Sequence, residues 1–221
     1  MKNQQTEKVY RHRNLPHIHP VGGAFSITTL TDDALPVGVY ENLKRQRDAL
    51  LDEIWQDAFS DKVERIEQVR QDFEEELDDM LARLHSQEHP FRDPVAAQAV
   101  VDRLRMYDGQ YYRLGAYSVM SNHLHLLLDL SIQVPHEWDG ISPLENYKSL
   151  SEVLRLIKGG SAYDVNRRCH RQGALWRKGY YDRYIRSPSH YRQVCHYIVN
   201  NPVKAGLVRD WREHPFTSAA A

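Results

Sequence analysis

The 221-residue sequence predicts an α+β fold: one antiparallel sheet with helices on a single face. Three observations lead there. Residues 22–30, 111–120 and 123–130 are rich in β-branched, aromatic or alternating apolar positions, as strands are. Between and after them stand segments whose apolar residues recur at helical spacing. The order is strand, helix, strand, strand, helix, strand and a last helix. This is the split β-α-β order of a ferredoxin-like sheet with one helix added at the C-terminal end.

Each element has its own warrant. Residues 1–20 are polar and basic, and prolines at Pro16 and Pro20 flank His17 and His19, which suits an extended arm more than an internal strand. Residues 22–30 form the first strand, and the Asp-Asp-Ala-Leu-Pro run ending at Pro36 is a turn. Residues 37–87 are charged and helical in composition. Within them Phe59, Val63, Ile66, Phe73, Leu77, Met80 and Leu84 step by fours and threes, with Arg70 at the one missing position. That heptad seam suits either a helical hairpin packed on the domain or a short coiled coil between two copies. Asp93 before Pro94 is an N-cap with proline at the first helical position, opening a helix over 94–107. Ser121 and Asn122 join two strands. Residues 131–143 are a loop, and 144–166 an amphipathic helix with Leu150, Val153, Leu154 and Ile157 inward. The aromatic and basic stretch 176–185 is strand-like. Ser187-Pro188 starts the last helix, expected to stop before Asn201-Pro202. The whole, 1–221, reads as one domain with a helical insertion at about 37–87.

Net charge is −1, but the charges are segregated. Residues 41–84 carry 14 acidic and 7 basic side chains, whereas 145–214 carry 14 basic and 6 acidic. Such asymmetry suits a part that binds a polyanion beside one that avoids it, and equally two solvated helical faces. The sequence has no apolar run of membrane-spanning length, and the N-terminus lacks a signal-peptide core, so a cytoplasmic, nucleoid-associated protein with no membrane partner is expected. Two cysteines, Cys169 and Cys195, cannot build a disulfide framework. Neither Cys169-His170 nor Cys195-His196 has zinc-ligand spacing.

The chemistry centres on Met120-Ser-Asn-His-Leu-His-Leu-Leu. Residues i and i+2 of a strand share a side, so His123 and His125 would present two imidazoles to one divalent ion. Ordinary strands carry the same spacing without binding anything, so the rest of the chain must decide.

Three blocks decide. Met120-Ser-Asn-His-Leu-His-Leu-Leu resembles the Met-Pro-Asn-His-Val-His-Leu-Leu signature of the single-tyrosine HUH transposases, with Ser121 in place of proline. Leu175-Trp-Arg-Lys-Gly-Tyr-Tyr-Asp is similar to their Leu-Trp-Gln-x-Gly-Tyr-x-Asp segment. Tyr197-Ile-Val-Asn-Asn-Pro-Val-Lys-Ala-Gly-Leu-Val resembles a stretch of the REP-associated tyrosine transposases. The acidic insert is absent from the shortest members of that family.

The resemblance implies an HUH transposase core, with His123 and His125 as ligands of Mg²⁺ or Mn²⁺ and Tyr197 as nucleophile. It implies a metal-dependent endonuclease and strand transferase acting on single-stranded or hairpin DNA of the REP type through a 5′-phosphotyrosine. Phenol is a weak nucleophile at neutral pH, its pKa being about 10, so a cation polarising the phosphate makes chemical sense. Asn201 lies one helical turn after Tyr197 and is the proposed third ligand, through its carbonyl oxygen. DNA would be held by Arg177, Lys178, Tyr181, Arg183, Arg186 and Arg192, where cations interleave with rings that can stack on bases. Two alternatives stand: a non-catalytic hairpin-DNA-binding regulator, and a hydrolytic metalloenzyme, which Leu127 and Leu128 disfavour by replacing the expected Asp and His. A homodimer through the heptad seam is compatible with the pattern.

Overall fold

The computed structural model describes residues 7–12, 15–57, 61–84 and 88–220. Strands β1 (Glu7–His12) and β2 (Leu15–Pro20) form a separate antiparallel ribbon, so the arm carries two paired strands of its own, outside the main sheet. The main sheet holds β3 (Ala24–Leu30), β4 (Arg113–Val119), β5 (His123–Asp129), β6 (Tyr181–Tyr184) and β7 (Thr217–Ala219) in the order β6-β3-β5-β4-β7. All four pairings are antiparallel. The first four strands reproduce the ferredoxin-like order, and β7 is an unforeseen fifth strand beside β4.

The expectation of helices on one face is wrong. Helices α3 (Pro94–Tyr107) and α4 (Leu150–Arg168) cover the face bearing Leu124, Leu126 and Leu128. Helix α5 (Pro188–Lys204) packs Val194, Ile198 and Val199 against Leu127 and Ala116 on the opposite face. Strand alternation is the reason. Every residue from His123 to Leu128 is buried, as a strand covered on both sides must be. His123 and His125 share the side of Leu127, so they face α5.

The segment expected to be an insertion forms two helices, α1 (Val37–Gln56) and α2 (Lys62–Leu84), packed on each other as a hairpin. Phe73, Leu77 and Leu81 of α2 pack with Leu30, Ala34, Leu35 and Tyr181. Each such burial is worth about 1.5–3 kcal/mol, which draws a helix this acidic onto the sheet. The seam is only partly used: Val63 is 60% exposed, and Phe59 lies outside the described residues. Of the two readings of the seam, the packed hairpin is the one seen.

Three boundaries differ from expectation. Helix α4 starts at Leu150, not 144, because Ser149 and Glu152 form a capping box that fixes the first turn. Strand β6 is only four residues long, since Gly179, at φ +80°, turns the chain after Trp176. Helix α5 runs through Pro202 to Lys204. Its end closes with Gly206 N–H on the Val203 carbonyl and Leu207 N–H on the Pro202 carbonyl, both at 2.9 Å. Gly206 takes φ +71°, so these carbonyls are satisfied in a Schellman arrangement and the proline is accommodated in the last turn.

Gly115 sits at a bulge of β4, under α5. A Cβ there would collide with the Tyr191 hydroxyl. We expect Gly115→Ala to push α5 from the sheet and cost about 1–3 kcal/mol. The midpoint of urea unfolding measures this, and an unchanged midpoint would show that α5 is not seated by that contact.

Candidate metal and nucleophile site

Three elements meet in one buried cluster. Strand β5 brings His123 and His125, α2 brings Asp78, and α5 brings Tyr197 and Asn201. Asp78, His123, His125 and Asn201 are each no more than 5% exposed. The ring centroids of His123 and His125 are 4.7 Å apart, and those of His125 and Tyr197 are 6.0 Å apart.

Each imidazole is held from behind. The Asn122 amide nitrogen donates to the Leu81 carbonyl at 3.1 Å, which leaves its Oδ1 to accept from His123 Nδ1 at 2.7 Å. A backbone carbonyl can only accept, so this pairing fixes the amide and with it the tautomer. The proton of His123 is on Nδ1, and Nε2 carries a lone pair. That Nε2 is buried and has no hydrogen-bond partner. His125 Nδ1 meets the Thr28 hydroxyl at 2.9 Å, on the residue directly opposite in β3. Its Nε2 lies 3.3 Å from Asp78 Oδ1 and 3.2 Å from the Asn201 amide nitrogen. Both rings thus turn Nε2 inward, the arrangement that outer hydrogen bonds impose on metal-binding histidines.

Asp78 divides its two oxygens. Oδ1 faces His125, while Oδ2 accepts from the Tyr197 hydroxyl and, at 3.0 Å, from the Asn201 amide. Burial alone would raise its pKa, but the charge and hydrogen bond of His125, with His123 and Tyr197, hold it at about 2. Burial raises the Tyr197 phenol above its ordinary value, and the Asp78 carboxylate adds to the rise. Burial, helped by the charge of His125, pushes His123 down to about 3, so it is a neutral imidazole at physiological pH.

Among the described residues, Asp78, His123 and His125 are the one group of three His, Cys, Asp or Glu able to hold a metal ion, their ligand atoms lying within 4.8 Å of one another. Two nitrogens and a carboxylate oxygen suit Mn²⁺ well and tolerate Mg²⁺. The orphaned Nε2 of His123 is what such an ion would satisfy, and the residues therefore fit one.

The sequence missed Asp78. The available signal was Glu74 and Asp78, one turn apart, each directly after a seam residue, Phe73 and Leu77. Asn201 reaches the cluster through its amide nitrogen, so ligation by its carbonyl requires the side chain to turn over. Tyr163, a rival nucleophile by residue type, is 66% exposed on α4. Tyr191, on α5, lies over Gly115, and neither tyrosine belongs to the cluster. His19 pairs with Asp182 at 2.7 Å, and the His17 side chain lies outside the described residues.

The expected DNA contacts divide. Arg183 and Arg186 border a cleft of about 450 Å³ beside Tyr197, and Lys178 and Arg192 are exposed. Tyr181 is a correction: its ring is buried against Phe73, at 5.1 Å between centroids, and cannot stack on a base. Arg177, half-buried, donates to the carbonyls of Asp32 and Leu35 and lies over Tyr40, bracing the α1–α2 hairpin. No described helix is long and apolar enough to cross a membrane.

No family model matches the chain. A curated protein of Haemophilus influenzae named "Putative REP-associated tyrosine transposase" is 26% identical over 103 residues, 47% of this chain and 56% of that protein. The chain thus spans about half the length of the curated relative it matches. A solved structure described as the REP-associated tyrosine transposase bound to a REP hairpin aligns over 94% of this chain and 81% of its own, at 16% identity and a TM-score of 0.45.

The lowered pKa of His123 has a measurable effect. The folded chain keeps this ring neutral down to about pH 3, whereas a free imidazole takes a proton below about 6.5. Between those values the unfolded chain binds more protons, so acid favours unfolding. The contribution is complete above about pH 6.5 and fades as pH falls toward 3. Urea midpoints of the metal-free protein should therefore drop more between about pH 7 and 4.5 than those of His123→Asn. Equal drops would mean that His123 is not held neutral.

Proposed function

From this relationship to the REP-associated tyrosine transposases, we propose that the protein is a single-tyrosine HUH transposase that nicks and rejoins single-stranded DNA. Its substrate is hairpin DNA of the REP type, and it works in the cytoplasm. We read 1–221 as one such domain, with the α1–α2 hairpin as its insertion. The observation that carries the reading is the convergence of Tyr197 on the Asp78, His123 and His125 cluster within one chain.

Tyr197 is the nucleophile. Its oxygen bonds to phosphorus as the bond to the 3′ oxygen breaks, and the phenolic proton ends on that 3′ oxygen. The phosphodiester energy stays in the 5′-phosphotyrosine, so a later attack by a 3′-hydroxyl rejoins strands without an external energy source. Asp78, His123 and His125 would hold Mg²⁺ or Mn²⁺, which supplies Lewis-acid polarisation of the scissile phosphate. At rest, burial and Asp78 keep the phenol protonated, which guards the nucleophile until substrate arrives. Asn201 steadies Asp78 beside the tyrosine, and it is a candidate fourth ligand if its amide turns. Arg183 and Arg186, at the cleft, with Lys178 and Arg192, neutralise the DNA backbone.

The test is a labelled single-stranded hairpin incubated with the protein and Mn²⁺ or Mg²⁺, resolved on a denaturing gel. A covalent adduct is expected with the wild-type chain and none with Tyr197→Phe. His123→Ala and Asp78→Asn should each reduce the adduct by about 10²-fold or more, as loss of a metal ligand does. Chelation should abolish it while hairpin binding persists. An adduct that survives Tyr197→Phe would overturn the nucleophile assignment. Hairpin binding with no adduct under either ion would leave a non-catalytic DNA-binding protein.

A further inference from the structure

The acidic helix α2 supplies one oxygen-ligand residue to the site, Asp78, yet three other carboxylates on it do something different. Glu67 meets Arg186 at 2.9 Å, Glu74 meets Arg183 at 3.3 Å, and Asp79 meets Lys204 at 2.9 Å. Every cation in these pairs comes from β6, α5 or the turn between them, the elements that surround Tyr197. The cleft of about 450 Å³ beside the tyrosine runs between the two rows, with Glu67 and Glu74 on one wall and Arg183 and Arg186 on the other.

We propose that α2 is a built-in competitor for DNA: its carboxylates occupy the cations that the backbone phosphates of the substrate must take. The inference rests on the function proposed above and names a regulation of that site. A carboxylate and a phosphate offer the same fork of oxygens to an arginine. A strand entering the cleft must therefore exchange partners with α2 at the Glu67–Arg186 and Glu74–Arg183 pairs, and it gains less than it would by displacing only salt ions. Helix α2 need not leave. Phe73, Leu77 and Leu81 anchor it, so Asp78 stays at the site while the side chains above it change partners. A strand that fits the cleft at several cations at once makes the exchange, while a strand that engages one cation at a time does not. The row thus acts as a threshold against casual single strands.

The outer pairs give the cleanest test, because their side chains are partly solvated: Glu67 is 25% exposed and Asp79 54%. The double variant Glu67→Gln with Asp79→Asn removes two competitors without emptying the core. Binding of a labelled single-stranded hairpin and of an unstructured oligothymidylate is measured in chelator, so that affinity is read apart from chemistry. Dissociation constants should fall at least about tenfold for both at low salt, more for the oligothymidylate, with the gain shrinking as salt screens the competing charges. Adding Glu74→Gln should extend the gain. Because that change leaves Arg183 in a nearly buried place, its folding is checked by urea midpoint, and the outer pair alone decides the outcome.

Unchanged or weaker binding by the outer-pair variant would overturn the proposal. The adduct assay separates the two readings. Adduct formation with no change in affinity removes the competitor and leaves the transposase. Tighter binding with no adduct under either ion leaves the competitor and removes the nicking chemistry.

Discussion

The carboxylate of Asp78 is the constraint on which the rest depends. A buried anion is tolerated only where hydrogen bonds and opposite charge replace lost water. Here the Tyr197 hydroxyl and the Asn201 amide take one oxygen, and His125 faces the other. The donors arrive from β5 and α5, and Asp78 itself from α2, so the sheet, the last helix and the α1–α2 hairpin must all be seated before the anion is satisfied. Thr28 and Asn122 extend the demand outward, since each fixes one imidazole ring.

This dependence explains the two-faced sheet. Had α5 joined α3 and α4 on one side, Tyr197 would lie across the sheet from His123 and His125. The period of two in β5 sends Leu124, Leu126 and Leu128 to one core and the histidines with Leu127 to the other. Helix α5 follows the histidines. Gly115 completes the fit by leaving room for Tyr191.

What could be read from the sequence was local. The His-x-His spacing, Tyr197 with Asn201 one turn on, and the strand and helix order all lie within short windows where period determines direction. The reach of α5 beyond Pro202 was hidden because Gly206 rescues the carbonyls only in three dimensions. Strand β7 carries three residues, too few for a pattern. Tyr181 looked like a DNA contact by residue type, yet the α1–α2 hairpin covers it. Asp78 was hidden most deeply. It is one of 14 acidic residues between 41 and 84, and its burial is a tertiary fact. Its position after Leu77 was the only trace in the chain.

The sheet's two borders have a separate consequence. Strand β6 is four residues long and β7 three, so the seven-residue strands β3, β5 and β4 all lie inside. A short border offers few unpaired peptide groups to another chain. Copies of this protein crowded together would find little backbone on the main sheet with which to zip into a shared, aggregating sheet.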